Sequence, residues 1–224
     1  MTGPRHEVAT DLTTLPGTPL AEAVLHHVRP VHTPSVFHHT VRSYLFARLA
    51  AARLDLAADR DYDDGLLFAA CLMHDLGVAS DGPHRGRFEV EGADRAAEFL
   101  LRHGRSAADA DQVWQAIALH TSPGIAERRG TLCVLVRHGI ALDFGGPLGP
   151  DRLDAVTDEQ AAAVHAAHPR LDMVRSLTDA IVAQAAQDPA NAPRYSIPGE
   201  LLRERETYGR TRLEQAAGSS RWGD

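Results

Sequence analysis

Residues 65–77, GLLFAACLMHDLG, form an apolar segment that ends in a polar pair. Apolar side chains cover nearly every face of a helix over this length, and such a helix belongs in the middle of a core rather than on its surface. Acidic residues between Asp61 and Asp64 favour a helix start just before the segment, and Gly77 favours a helix end. The pattern therefore predicts a central core helix with other helices packed around it.

The pair His74-Asp75 leaves this apolar helix at its carboxyl end. A buried carboxylate without a partner is costly. A divalent metal ion is the simplest compensation, since imidazole and carboxylate groups are both metal ligands. The alternative is an ordinary helix end with a histidine whose hydrogen bonds are satisfied.

Helical signals continue on both sides of this segment. Thr33-Pro34 predicts an N-cap followed by proline at the first helical position, and this helix runs to about Leu54. Runs of alternating apolar and polar residues, which would indicate strands, do not stand out. The fold class predicted is all-α, with further helices at about residues 20–29, 91–103, 107–120, 131–143 and 171–188 and an Ala-rich helical segment at 151–168.

The distribution of Pro, Gly and Thr predicts one helical domain with an extension at each end. Residues 1–19 are expected to form a loose N-terminal arm, residues 20–187 the helical domain, and residues 188–224 a mostly irregular C-terminal tail. Within the tail, the segment GELLRERETYGRTRLEQAA at residues 199–217 is an alternative surface helix.

The composition limits the classes of function. The chain has 224 residues, 44% of them hydrophobic and 24% charged, with a net charge of −7. An acidic chain lacks the basic surface expected for nucleic acid or anionic membranes, and no apolar run approaches the roughly 20 residues of a spanning helix. The N-terminus lacks the apolar centre of a signal peptide, and Cys71 and Cys133 lie in apolar runs as expected for buried free thiols. We therefore expect a cytoplasmic protein.

All 23 basic residues are arginine, so several kinds of chemistry are excluded. A chain without lysine has no Schiff-base catalysis, no lysine general base and no phosphate-binding lysine of a P-loop. The sequence has no GxSxG motif, and its two cysteines lie 62 positions apart. The chemistry must come from carboxylates, arginines, a cofactor or the 13 histidines.

Two other predicted core helices carry candidate metal ligands. His39 lies in the helix before the apolar segment, one turn before Arg42. Asp143 ends the helix at 131–143, on the same face as Gly139, Val136 and Leu132, at spacings of 4, 7 and 11 residues. Three helices would thus bring two imidazoles and two carboxylates toward the core.

The order of these motifs resembles the HD-domain metal-dependent hydrolase superfamily over about residues 35–146. The flanking residues look most like its cyanamide hydratase-like branch. The resemblance rests on the strings HHTVRSY, LMHDLG, FEVEGADRAAEFL, VWQAIALHTSPGIA and GIALDFGG in this order. It implies a single helical HD-type domain and one divalent metal ion, with the ligands His39, His74, Asp75 and Asp143.

The resemblance leaves two choices at the metal site. His38 competes with His39, but the spacing to Arg42 favours His39, and Arg42 could brace a carboxylate. Two-metal members of the superfamily have histidines where this chain has Phe88 and Glu89, which argues for one metal. The alternative is a dinuclear site that uses His84 and His120.

The catalytic residues that we predict are His120 and Glu89. His120 closes an apolar helix face, either as a helix cap or facing a metal-bound water or substrate, and Glu89 is a second proton-handling group in the loop before the next helix. A metal lowers the pKa of bound water from 15.7 to roughly 7. The resulting hydroxide would add to a small polarised C–N multiple bond, as cyanamide hydratases do when they form urea.

Zinc is the favoured metal for this chemistry, and iron or manganese also fits two imidazoles and two carboxylates. An alternative function is a phosphohydrolase with Arg42, Arg85 and Arg87 near an anionic substrate, and a second is a non-catalytic, metal-stabilised binding module. The expected partner is a small-molecule substrate. The sequence does not indicate whether the protein forms a homo-oligomer.

Overall fold

The computed structural model describes residues 12–145 and 156–223. Its regular secondary structure is helical, as the sequence predicted. The ten α-helices of the described residues are α1 (Pro19–Val28), α2 (Pro34–Arg53), α3 (Asp64–Met73), α4 (Phe88–Arg102), α5 (Ala107–Ala118), α6 (Thr131–Asp143), α7 (Asp158–Ala167), α8 (Met173–Ala185), α9 (Ile197–Tyr208) and α10 (Arg212–Ala217). Short 3-10 turns follow at Leu76–Val78, Ala126–Arg128 and Pro189–Asn191.

The predicted helix starts follow from local capping. The Thr33 side chain accepts a hydrogen bond from the Val36 backbone N–H, and Pro34 occupies the first helical position of α2. The Asp63 side chain accepts from the Leu66 N–H at the start of α3. Helix α4 begins at Phe88, three residues earlier than predicted, so Glu89 lies in its first turn rather than in the preceding loop.

Helix α3 lies at the centre of the main core. Its side chains from Leu66 to Met73 are all buried, and it contacts α1, α2, α4, α5 and α6. Cys71 and Cys133 are free and buried, as predicted. The helix that is apolar on every face is therefore covered on every face, and its carboxyl end with His74 and Asp75 lies inside the protein.

Helices α2 and α6 pack directly against each other because Gly139 has no side chain. A Cβ atom at this position would lie 2.1 Å from the backbone oxygen of Ser43. This close approach brings the first half of α2, with His39, next to the end of α6, with Asp143.

The C-terminal segment is more regular than predicted. The segment proposed as an irregular tail contains α9 and α10, which correspond to the alternative of a surface helix at 199–217. Side chains of both helices, Leu201 and Ala217 among them, join α8 in a second apolar cluster that also includes Phe88. Ser196 and Thr211 cap the two helices, so local signals fix both starts.

Two other predictions fall partly outside the described residues. Of the N-terminal arm at residues 1–19, the described part includes Leu12 and Leu15, which pack against the main core. The Ala-rich segment at 151–168 contains α7, and its first residues, 151–155, lie outside the described part. None of the described helices combines the length and the apolar character needed to cross a membrane.

Candidate metal centre

Three of the predicted ligands come together at the end of α3. Nε2 of His39 lies 3.2 Å from Nε2 of His74, and Oδ2 of Asp75 lies 3.2 Å from Nε2 of His74 and 3.8 Å from Nε2 of His39. All three side chains are buried, and one atom from each lies within 4.8 Å of the other two. Among the described residues, this is the one group of histidine, cysteine and carboxylate side chains with metal-binding spacing.

The hydrogen bonds on the other ring nitrogens leave both Nε2 atoms available. Nδ1 of His74 donates to the backbone oxygen of Cys71 at 2.7 Å, and Nδ1 of His39 donates to Oδ2 of Asp143 at 2.6 Å. A neutral imidazole has one N–H, so with Nδ1 as the donor, Nε2 keeps its lone pair. Oxygen acceptors at the second nitrogen are the usual support of metal-binding histidines.

A positive charge next to Asp75 would stabilise its buried carboxylate. Its Oδ2 atom is buried and has no hydrogen-bond partner. Burial raises the pKa of Asp75, but its interactions with His74, His39 and His120 together lower it by more, so the carboxyl stays ionised. Burial likewise lowers the pKa of His74, but Asp75, the backbone oxygen of Cys71 and Asp143 together raise it by more. A proton or a metal cation must therefore balance the carboxylate, and two imidazole nitrogens and one carboxylate oxygen fit a divalent metal.

Asp143, the fourth predicted ligand, lies on the other side of the His39 ring. Its carboxylate accepts from His39, from Nε and Nη2 of Arg42 at 2.6 and 2.8 Å, and from Arg170 at 3.3 Å. Burial raises the pKa of Asp143, but Arg42 and the hydrogen bonds hold it well below its usual value. The structure therefore places Asp143 outside the group of three, and it places Arg42 as the brace of a carboxylate, as predicted.

His38, the competitor of His39, faces away from the site. Its Nδ1 lies 3.2 Å from Nδ1 of His168. His84 also lies apart, with its Nδ1 bonded to the backbone oxygen of Gly77. Neither histidine belongs to the metal-binding group of the described residues.

His120 lies beside the group of three. Its ring makes an edge contact with His74, with 5.0 Å between the ring centroids, and its Nδ1 donates to the backbone oxygen of Ile117 at 2.6 Å. Burial lowers the pKa of His120 to about 4, so the side chain is neutral at pH 7 and its Nε2 can accept a proton. The helix-cap contact and the position facing the site, which the sequence offered as alternatives, occur together.

Glu89 is fully buried and reaches the cavity only through a neighbour. Its Oε1 accepts from Arg87 Nη2 and from Thr121 Oγ1, both at 2.8 Å, and its Oε2 has no hydrogen-bond partner. The Thr121 side chain lines the cavity, whereas Glu89 does not. Thr121 is therefore a site residue that sequence reasoning missed, although it directly follows His120 in the chain.

A cavity of about 330 Å³ opens at the three candidate ligands. His120 and Thr121 also line it, together with Arg137 and mostly apolar side chains. The apolar lining residues are Phe88, Pro123, Ile140, Ala141, Phe144, Leu177, Ile181, Ile197, Leu201 and Leu213.

The fold and the site together define a helical protein with a buried histidine–aspartate metal-binding group. Comparison with protein-family models gives a match to the HD domain over residues 36–185. The chain therefore belongs to the HD domain family, which indicates metal-dependent hydrolase activity in general. No curated protein matches the chain. The predicted superfamily is confirmed, and the cyanamide hydratase-like branch stays a prediction.

Proposed function

We propose that this protein is a metal-dependent hydratase that adds water across a small polarised C–N multiple bond, in a cyanamide- or nitrile-like substrate. The observation that carries this proposal is the position of His39, His74 and Asp75 in the lining of a largely apolar cavity. Lysine, serine and cysteine are absent from the described lining residues, and the one hydroxyl group there, on Thr121, donates its hydrogen to Glu89. Water activated at the group of His39, His74 and Asp75 is the nucleophile that we propose.

His39, His74 and Asp75 would hold the ion, with zinc favoured over iron or manganese. When bound, such an ion supplies Lewis acidity, which lowers the pKa of coordinated water from 15.7 to roughly 7. Asp143 supports His39 by accepting a hydrogen bond from its Nδ1, and Arg42 donates to the carboxylate in turn. Direct ligation by Asp143 would require it to give up these contacts.

His120 and Glu89 are the proposed proton-handling groups. In the reaction, the oxygen of water bonds to the carbon of the C–N multiple bond, and both protons of water end on nitrogen, so that cyanamide gives urea and a nitrile gives an amide. Neutral His120 can accept a proton at Nε2 and return it to the nitrogen. Glu89 would act through Thr121, whose hydroxyl group joins the buried carboxylate to the cavity.

The phosphohydrolase alternative receives less support from the side chains. Arg42 is bonded to Asp143 and Arg87 to Glu89, and neither lines the cavity. Arg85 is exposed and also does not line it. Arg137 is the one arginine among the described lining residues, and its Nε lies 3.7 Å from Glu127. An uncharged small molecule therefore suits this cavity better than a phosphate ester.

The proposed location is the cytoplasm, since the thiols of Cys71 and Cys133 are free.

The test begins with elemental analysis of protein purified without added metal. Protein with one equivalent of metal is then assayed for urea from cyanamide and for amides from nitriles, before and after treatment with a chelator. We expect product only with metal. Absence of product from all these substrates would remove the hydratase, and release of p-nitrophenol from a phosphodiester would favour the alternative. A chelator that unfolds a protein without turnover would indicate the binding module.

A further inference from the structure

Six of the apolar side chains that line the cavity come from the end of α6 and from α8, α9 and α10, and we call this set the apolar wall. It consists of Phe144 directly after α6, Leu177 and Ile181 on α8, Ile197 and Leu201 on α9 and Leu213 on α10. Leu177, Ile181 and Leu201 are buried in the second apolar cluster, with exposed fractions of 4%, 4% and 6%. Packing therefore fixes these three side chains, which form the buried half of the wall.

Half of the apolar wall lies outside the part of the chain that matches the HD domain. The match ends at residue 185, whereas Ile197, Leu201 and Leu213 belong to α9 and α10. The metal-binding group therefore comes from the matched domain, and half of the wall comes from the C-terminal helices beyond the match. Segments outside a shared domain, such as α9 and α10, can give a common type of reaction its particular substrate preference.

The size of the cavity does not suit a very small substrate. A volume of about 330 Å³ lies at the lower end of the range for pockets that enclose organic ligands, roughly 300–1,000 Å³. Cyanamide has only a nitrile group and an amino group. It would leave most of the cavity to solvent in contact with hydrocarbon, which is unfavourable.

The chemistry of the apolar wall also disfavours a substrate that is polar at both ends. The amino group of cyanamide would find no hydrogen-bond acceptor on these aliphatic and aromatic side chains, and a polar group buried without a partner weakens binding. A hydrocarbon group in the same position would gain from burial.

We infer, on the basis of the proposed function, that the substrate is an organic nitrile with a hydrocarbon body. The nitrile group faces His39, His74 and Asp75, and the body lies against the apolar wall. Water adds across the bond, its oxygen to carbon and both protons to nitrogen, to give a primary amide. The reaction has no leaving group and needs no oxidant or reductant.

The first test measures binding of product amides to the full-length, metal-loaded protein. Isothermal titration calorimetry is run with acetamide, butanamide and hexanamide, and repeated after chelation. Each methylene buried against the wall is expected to tighten binding roughly fourfold until the cavity is filled. This dependence should persist without metal, because the wall does not contain the ligands. Affinity that stays level from acetamide to hexanamide would overturn the inference.

A substitution in the wall tests its position. Ile197 is 41% exposed and occupies the first position of α9, where an acidic residue is favourable, so Ile197→Asp is expected to fold. It should weaken hexanamide at least tenfold and acetamide much less. The control is Tyr195→Asp, the same new charge two residues away on a side chain that is 90% exposed and does not line this cavity. Equal loss of hexanamide binding in both variants would count against the wall.

Turnover separates this inference from the proposed function. If cyanamide is hydrated but kcat/KM does not rise from acetonitrile to hexanenitrile, the function stands and the hydrocarbon-bearing substrate is wrong. If no nitrile is hydrated but amide affinity still rises with chain length, the hydratase is wrong and the apolar ligand class stands. If both kcat/KM and amide affinity rise with chain length, the proposed function and the hydrocarbon-bearing substrate are both supported.

Discussion

Oδ2 of Asp143 lies 2.6 Å from Nδ1 of His39, on the edge of the imidazole away from the nitrogen that faces His74. The contact joins the end of α6 to the first half of α2. An ionised carboxylate can only accept, so the proton of a neutral His39 stays on Nδ1 and the lone pair of Nε2 points into the site. Arg42 on α2 completes the arrangement with two hydrogen bonds to the same carboxylate.

We expect Asp143→Asn to weaken metal binding by about 10- to 100-fold, the usual effect of losing the partner of a metal-bound histidine. It should also lower the free energy of unfolding by about 3–5 kcal/mol, because Arg42 is left buried without its charge partner. Chelator competition and urea unfolding measure the two effects. Asp158→Asn, at an 85% exposed carboxylate, is the control. Unchanged metal affinity would contradict the role given to Asp143.

Removal of a candidate ligand should abolish metal binding rather than weaken it. In His74→Ala, elemental analysis is expected to find less than one tenth of the wild-type metal, since one of the three converging atoms is lost. His103→Ala is the matched control, because His103 also donates to a backbone oxygen at a helix end but lies on the surface. Full metal content in His74→Ala would place the ion elsewhere.

Local signals in the sequence were enough to predict the core of this site. Capping at Thr33 and Asp63 depends on neighbours three residues away. The change from apolar residues to the polar pair His74-Asp75 can be read directly from the sequence. The contact of Asp143 with His39 instead depends on how closely α2 and α6 approach, which involves residues 104 positions apart. Helical spacing predicted that Asp143 faces the core, but not which edge of the His39 ring it contacts.

The apolar wall was hidden for a different reason. Helix α9 contains the run RERET, and its high charge obscures the few apolar positions that pack inward, such as Leu201. The cavity takes apolar lining residues from α8, α9 and α10 and none from residues 156–168, which contain α7.

Thr121 should matter for turnover through its bond to Glu89. Thr121→Val keeps the shape of the side chain but removes the hydroxyl group, and we expect kcat to fall by about 100-fold with little change in KM, as for other groups that move protons. Thr121→Ser should restore most of the activity. The measurement is steady-state turnover of the best substrate across pH. A uniform rise in KM with unchanged kcat would indicate that Thr121 only binds substrate.

The pair His38 and His168 predicts loss of stability in acid. Their Nδ1 atoms are 3.2 Å apart, and burial, with the nearby charges of His38 and Arg42, lowers the pKa of His168 to about 4. In the unfolded chain the value is about 6.5, so between these pH values the unfolded state binds more protons. The contribution of neutral His168 is therefore complete above about pH 6.5 and is lost as the pH falls toward 4.

Urea unfolding between pH 7.5 and 4.5 measures this effect. His168→Gln should be less sensitive to acid than the wild type, whereas His26→Gln, at an exposed histidine, should follow the wild type. Parallel curves for the wild type and His168→Gln would mean that the pair does not titrate on unfolding.

Gly139 is the position at which a single methyl group should disturb both the fold and the site. In Gly139→Ala the new Cβ would meet the Ser43 backbone oxygen at 2.1 Å, and a backbone atom in a buried helix cannot turn aside as a flexible side chain can. The helices α2 and α6 must separate, at a cost of about 3 kcal/mol or more, the upper range for overpacked cores. Because His39 and Asp143 lie on these two helices, metal affinity should fall together with the melting temperature. Gly17→Ala, where the added atom meets nothing within 4 Å, is the control. A variant that melts lower but binds metal as tightly as the wild type would show that the site does not depend on this helix contact.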